Sequence, residues 1–164
     1  MTQSKMHCVI CISLVVIAIS SACSQTPDPV AIEPSPSVPV ILDTDMAHED
    51  MFAALYLLQH PHAELKAITV AGTGEAHCGP GVLNALGILT LAGKPALPVA
   101  CGRELPLAGD HTFPESWRQA ADSAYGVPLP ENPKPPSDLP APELIAEVIR
   151  QSPEKVVLVA IPIP

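Results

Sequence analysis

The chain has 164 residues, 48% of them hydrophobic, a length that encloses one core and is short for two. Its 17 acids against eight Lys and Arg leave a net charge of −9. That balance excludes a nucleic-acid-binding protein, whose affinity comes from basic surface, and suits a divalent cation better.

Residues 1–22 read as an export signal: Lys5, an apolar run from Val9 to Ile19, then Ser20-Ser21-Ala22. Cys23 follows directly and resembles the lipid-modified cysteine of bacterial lipoproteins, with Ser20 where that motif usually carries Leu. The expectation is an exported protein of the bacterial cell envelope or periplasm, anchored to the membrane through Cys23, with residues 23–39 as anchor and Pro-rich tether. Cleavage near Ala22 without lipid is one alternative. An uncleaved anchor is the other, although a span needs about 20 apolar residues.

The domain proper is expected over 40–164. Val40-Ile41-Leu42 reads as a buried parallel strand, and Met51, Ala54, Leu55 and Leu58 fall at helical spacing, so a helix begins near Asp50. Leu65 to Ala71 is a second strand, ending in Gly72-Thr73-Gly74. Pro80 opens a helix that carries Val82, Ala85, Leu86 and Leu89 and stops at Gly93. Pro98 to Cys101 is a short third strand. Residues 102–142 are Pro-rich loop, a rim or lid, with one helix over Glu115–Tyr125. Glu143–Arg150 is a helix and Val156–Ile161 a fourth buried strand, after which the chain stops at Pro164, as if the sheet were incomplete. The β-α alternation predicts an α/β layered fold with a mainly parallel sheet and right-handed crossovers, whose ligands bind outside the strands' carboxyl ends.

Four carboxylates stand at such an end: Asp43, Asp45, Glu49 and Asp50. Asp43 and Asp45 share a side if the segment stays extended, and Asp50 can approach them from the helix start. Converging hard oxygen donors suit Ca²⁺ or Mg²⁺, and Asp45 could take a proton from a water held there. Helix capping accounts for Glu49 or Asp50, but not for Asp43 and Asp45 as well.

Val40-Ile41-Leu42-Asp43-Thr44-Asp45, four residues, then Asp50 and an apolar helix resembles the inosine/uridine-preferring nucleoside hydrolase family, whose pattern is Asp-x-Asp-x-Gly-x-Asp-Asp. Ile68–Gly74, Asn84-Ala85-Leu86, Leu91–Pro95, Pro98–Gly102 and Glu143–Ile161 continue the similarity in order. The resemblance implies an α/β enzyme that hydrolyses the N-glycosidic bond of ribonucleosides to base and ribose, using a Ca²⁺-bound water. It implies that Asp45 binds calcium and deprotonates the water, that Asp50 is a second ligand, and that Asp43 supports them. Glu49 replaces an Asp that contacts ribose hydroxyls, Thr73 stands where many members have Asn near the ribose, and Ala47 replaces Gly, which is costly if that turn needs positive φ. Family members continue past this chain's last strand to two further calcium ligands. The chain therefore reads as a truncated N-terminal portion that binds calcium weakly, with an open sheet edge that invites a partner or homo-oligomer.

Two other readings compete. A haloacid-dehalogenase-like phosphatase also places Asp-x-Asp after an apolar strand, with Asp43 as nucleophile; a truncated lipoprotein remnant would keep the fold without turnover. Cys78 and Cys101 form either a disulfide or two buried thiols. His48 reads as a surface turn residue, His60 and His62 as helix-end residues, and Glu75 and His77 as pocket lining or loop polarity. His111, Phe113 and Trp117 read as an aromatic patch packing the loop to the core, or as a rim that stacks on a base.

Overall fold

A computed structural model describes residues 36–109 and 112–162. The export signal, Cys23, most of the tether and His111 lie outside the described residues. Among the described residues the order is β1 (Val38–Thr44), α1 (His48–Gln59), β2 (Ala63–Val70), α2 (Cys78–Leu91), β3 (Val99–Cys101), α3 (Glu115–Asp122), a 3₁₀ turn (Ala124–Gly126), α4 (Ala141–Gln151) and β4 (Val157–Ala160).

The four strands form one parallel sheet in the order β3-β2-β1-β4. The expected α/β layering is therefore present, with β1 inside the sheet. Its apolar run divides between two cores. Leu42 joins Ile68, Val70, Val99 and the inner faces of α1 and α2 on one side; Ile41 joins Ala67, Ala100, Ala141 and Leu144 beneath α4 on the other. Both Ile41 and Leu42 are fully buried, each contributing about 1.5–3 kcal/mol by leaving water. Residues buried on both faces explain why β1 reads as continuous rather than alternating hydrophobicity.

In α1 the expected stripe holds: Ala54 is buried and Met51, Leu55 and Leu58 pack on the core, whereas Phe52 and Tyr56 face solvent. The helix begins two residues before the expected start. Helix α2 also starts early, which leaves Pro80 in the first turn, where no intrahelical N–H bond is needed. It ends as expected at Gly93, whose φ of 71° lets Gly93 N donate to Thr90 O and Lys94 N to Leu89 O.

Two expectations change. The helix over Glu115–Tyr125 ends at Asp122, because Ala124 and Tyr125 both take positive φ and break the spiral. β4 is not a buried strand: Val157 and Leu158 are 42% and 47% exposed. It pairs only with β1 and forms an edge of the described sheet.

Candidate active site at the carboxyl edge of the sheet

β1 ends at Thr44, and three residues carry the chain into α1. The turn is made by Met46, with φ of 59° and a fully buried side chain. Ala47, the position suspected of strain, has φ −58° and ψ 165°. The left-handed residue thus sits one place earlier than expected, and Ala47 is not strained.

This turn folds Asp50 back against β1. Its Oδ2 accepts from Thr44 Oγ1 at 2.6 Å and from the backbone N of Asp45 at 3.2 Å. Thr44 Oγ1 in turn accepts from Met46 N at 2.9 Å. Asp45 receives Ala47 N on Oδ1 at 3.4 Å and Glu75 N on Oδ2 at 3.2 Å. The two carboxyl groups are 2% and 4% exposed. The N-cap Ala47 offers no side-chain bond, while Glu49 and Asp50 lie in the first turn of α1, as the helix-end reading expects; the Asp50 carboxylate in addition turns back toward residues upstream of the helix. Burial, reinforced by the Asp45 carboxyl and only partly offset by Thr44, pushes Asp50 up to about 7.

Asp43 turns elsewhere. Its Oδ1 accepts from Thr69 Oγ1 at 2.6 Å on the neighbouring strand. Burial raises its pKa, Thr69 opposes that, and the charge of Asp45 adds to it. Asp43 and Thr73 line a cavity of about 690 Å³ together with Arg103 and Ile145. The alternation that would set Asp43 beside Asp45 ends with the strand. Glu49 is not drawn in either: it is exposed on α1, with His48 Nδ1 at 3.1 Å. His48 itself is an exposed residue at the helix start, as expected.

The turn after β2 closes over Asp45. A Cβ at Gly74 would lie 2.1 Å from Asp45 Oδ2, so this position takes only glycine. Ala76 N donates to the Asp45 carbonyl at 3.0 Å. Sequence reasoning missed what holds this turn from behind. Arg118, 5% exposed, donates from Nη1 to Gly74 O at 2.5 Å, from Nη2 to Gly72 O at 2.9 Å and from Nε to His77 Nε2 at 3.1 Å. Asp122 accepts from His77 N at 2.8 Å and pairs with its Nδ1 at 2.8 Å. Tyr125 Oη donates to Glu75 at 2.5 Å, and its ring meets that of His48 edge-on at 5.5 Å. Burial and the Glu75 carboxylate push this phenol up. Arg118 and Asp122 stand at i and i+4 on α3, while Tyr125 follows the break in the helix.

Cys78 and Cys101 are joined as a disulfide between α2 and β3. Glu104 Oε1 accepts from Cys78 N at 2.9 Å. These three residues bring ligand atoms within 4.8 Å of one another, but bonded sulfurs offer no thiolate, so the closed bridge is no metal centre. Phe113 and Trp117 stack at 6.2 Å on the surface, with Trp117 55% exposed. The patch does not pack the loop to the core. His60 and His62 meet edge-on at the end of α1.

Residues 40–162 match the inosine-uridine preferring nucleoside hydrolase family. A pyrimidine-specific ribonucleoside hydrolase, RihA, of Klebsiella pneumoniae is 36% identical over 124 residues, which cover 76% of this chain and 39% of that protein. A plant nucleoside hydrolase structure, PpNRh1, superposes with a TM-score of 0.61 at 26% identity over 77% of this chain and 40% of its own. An inosine-uridine preferring nucleoside hydrolase from Bacillus anthracis shares the fold, with a TM-score of 0.59 at 22% identity over 74% and 40%. The chain thus spans about 40% of the length of these relatives.

Proposed function

Because the chain belongs to the inosine-uridine preferring nucleoside hydrolase family, we propose that its acid site serves hydrolysis of a ribonucleoside at the N-glycosidic bond, releasing the base and ribose. The observation that carries this reading is the buried Asp45–Asp50 pair at the carboxyl edge of a parallel sheet, where α/β folds bind ligands. Family membership sets aside the phosphatase alternative.

The pair fits calcium. Two buried carboxyl groups repel unless one keeps a proton, as the raised Asp50 does, and a divalent cation removes that conflict with the hard oxygen donors it prefers. Asp45 and Asp50 would hold it, and when bound it supplies the positive charge that favours both acids ionised and makes a nearby water more acidic.

Asp45 takes the proton of the attacking water. Its Oδ2 is already aimed by Glu75 N and its Oδ1 by Ala47 N, which is the preorganisation a general base needs. Asp50, tied to Thr44 and to the Asp45 backbone, fixes the other wall. Thr73 and Asp43 face the adjoining cavity, where Thr73 would meet ribose hydroxyls and Asp43 would support the strand end. Glu49, exposed on α1, would contact the sugar hydroxyls. Attack at the anomeric carbon passes through an oxocarbenium-like transition state, as in other glycoside hydrolysis.

Incubation of the full chain with inosine or uridine and calcium, followed by assay of free ribose, tests the reading. Release that falls about 10²–10⁴-fold in Asp45→Ala supports it. No release from folded chain favours a non-catalytic remnant. The export signal and a lipid on Cys23 are proposed on sequence grounds alone; metabolic labelling with palmitate, lost in Cys23→Ser, checks them.

A further inference from the structure

We infer that Arg118 positions Asp45, by relaying its charge through the single peptide group between Gly74 and Glu75. The inference rests on the reading of Asp45 as the general base. The carbonyl of that peptide accepts from Arg118 Nη1 at 2.5 Å, while its N–H donates to Asp45 Oδ2 at 3.2 Å. One peptide plane therefore stands between a buried cation and a buried carboxylate, its oxygen toward the cation and its N–H toward the anion. Hydrogen bonds in such a chain polarise and strengthen one another at low local dielectric.

The guanidinium is held mainly by hydrogen bonds and only loosely by an ion pair. Its nearest carboxylate oxygen, on Glu104, is 3.9 Å away, and that side chain is half exposed. All three observed donations go to the Gly72–His77 turn: Gly72 O, Gly74 O and His77 Nε2. Because His77 accepts at Nε2, its Nδ1 carries the proton and donates to Asp122 Oδ2 at 2.8 Å. Asp122 and Arg118 both come from α3, so one helix grips both ends of the turn. Burying a cation against neutral acceptors costs stability that an apolar side chain of similar size would not. What the cation adds is direction. The planar fork fixes two carbonyls in one preset geometry, whereas the donors of an ammonium rotate on a flexible stem.

The test compares wild type with Arg118→Met and Arg118→Lys in the full chain, by residue-resolved amide hydrogen exchange. The Glu75 amide is expected to lose about tenfold or more of its protection in Arg118→Met, the equivalent of one charge-assisted hydrogen bond. Amides of Leu42 and Ile68 in the sheet are expected to keep theirs. Arg118→Lys should fall between, and the Arg118→Met effect should disappear in an Asp45→Asn background. With nucleoside, Arg118→Met is expected to lower kcat with KM unchanged at an unchanged folded fraction; a merely structural role would lower activity only in proportion to the folded fraction. Unchanged Glu75 protection, or parallel loss across the sheet, overturns the inference. Wild type that releases no ribose refutes the proposed function instead, and exchange still decides whether Arg118 holds Asp45.

Discussion

At the scale of single residues, the site is built by where the backbone bends. Met46 takes the left-handed conformation and inserts a fully buried side chain into the core, so packing offsets a conformational cost of about 1–2 kcal/mol. Since Ala47 is unstrained, Ala47→Gly relieves nothing and enlarges the unfolded ensemble; urea unfolding should show a loss of about 0.4–1 kcal/mol. A gain would mean that the turn is misassigned. Asp50 makes a second prediction. Its pKa is raised to about 7, so the folded state keeps a proton that the unfolded chain gives up at the ordinary carboxylate pKa. The stability it contributes is present below that pKa and is lost as pH rises toward 7. Without calcium, the thermal midpoint should fall between about pH 4 and pH 7 and level off above, and Asp50→Asn should flatten that fall. The four acids were legible in the sequence as a group. Their division was not, because it depends on a residue with positive φ and on Thr44 and Thr69 as partners.

At the scale of elements, sequence patterning placed the strands and helices of the described residues within a few residues, most securely β1, β2, α1, α2 and α4, which bury apolar faces in the two cores. The exposure of β4 escaped it, since an apolar tetrapeptide reads the same at an edge as at the centre. The grip of α3 escaped it for another reason: Arg118 meets Gly74 across 44 positions of sequence, and no local pattern encodes such a contact. The Cys78–Cys101 bridge ties the start of α2 to the end of β3, 23 positions apart. Closing a loop of that size stabilises by about 3 kcal/mol. Reduction with a dithiol should therefore lower the midpoint of urea unfolding. An unchanged midpoint would show that the thiols are not joined in solution.

At the scale of the whole molecule, these pieces converge on one place. β1 delivers Asp43 and Asp45, α1 returns Asp50, the turn after β2 covers Asp45, and α3 braces that turn. The fold class and the strand end that carries the site were readable from the chain alone; the brace and the seclusion of the Asp45–Asp50 pair required the packed structure. The proposed occupant of this pair is a calcium ion. Calorimetric titration of calcium into the full chain at pH 6, repeated in buffers of different ionisation enthalpy, tests it most directly. The expected result is binding that releases a proton from Asp50, with both the heat and the proton release lost in Asp50→Asn. Absence of binding by folded wild type, or binding untouched by Asp50→Asn, would contradict it.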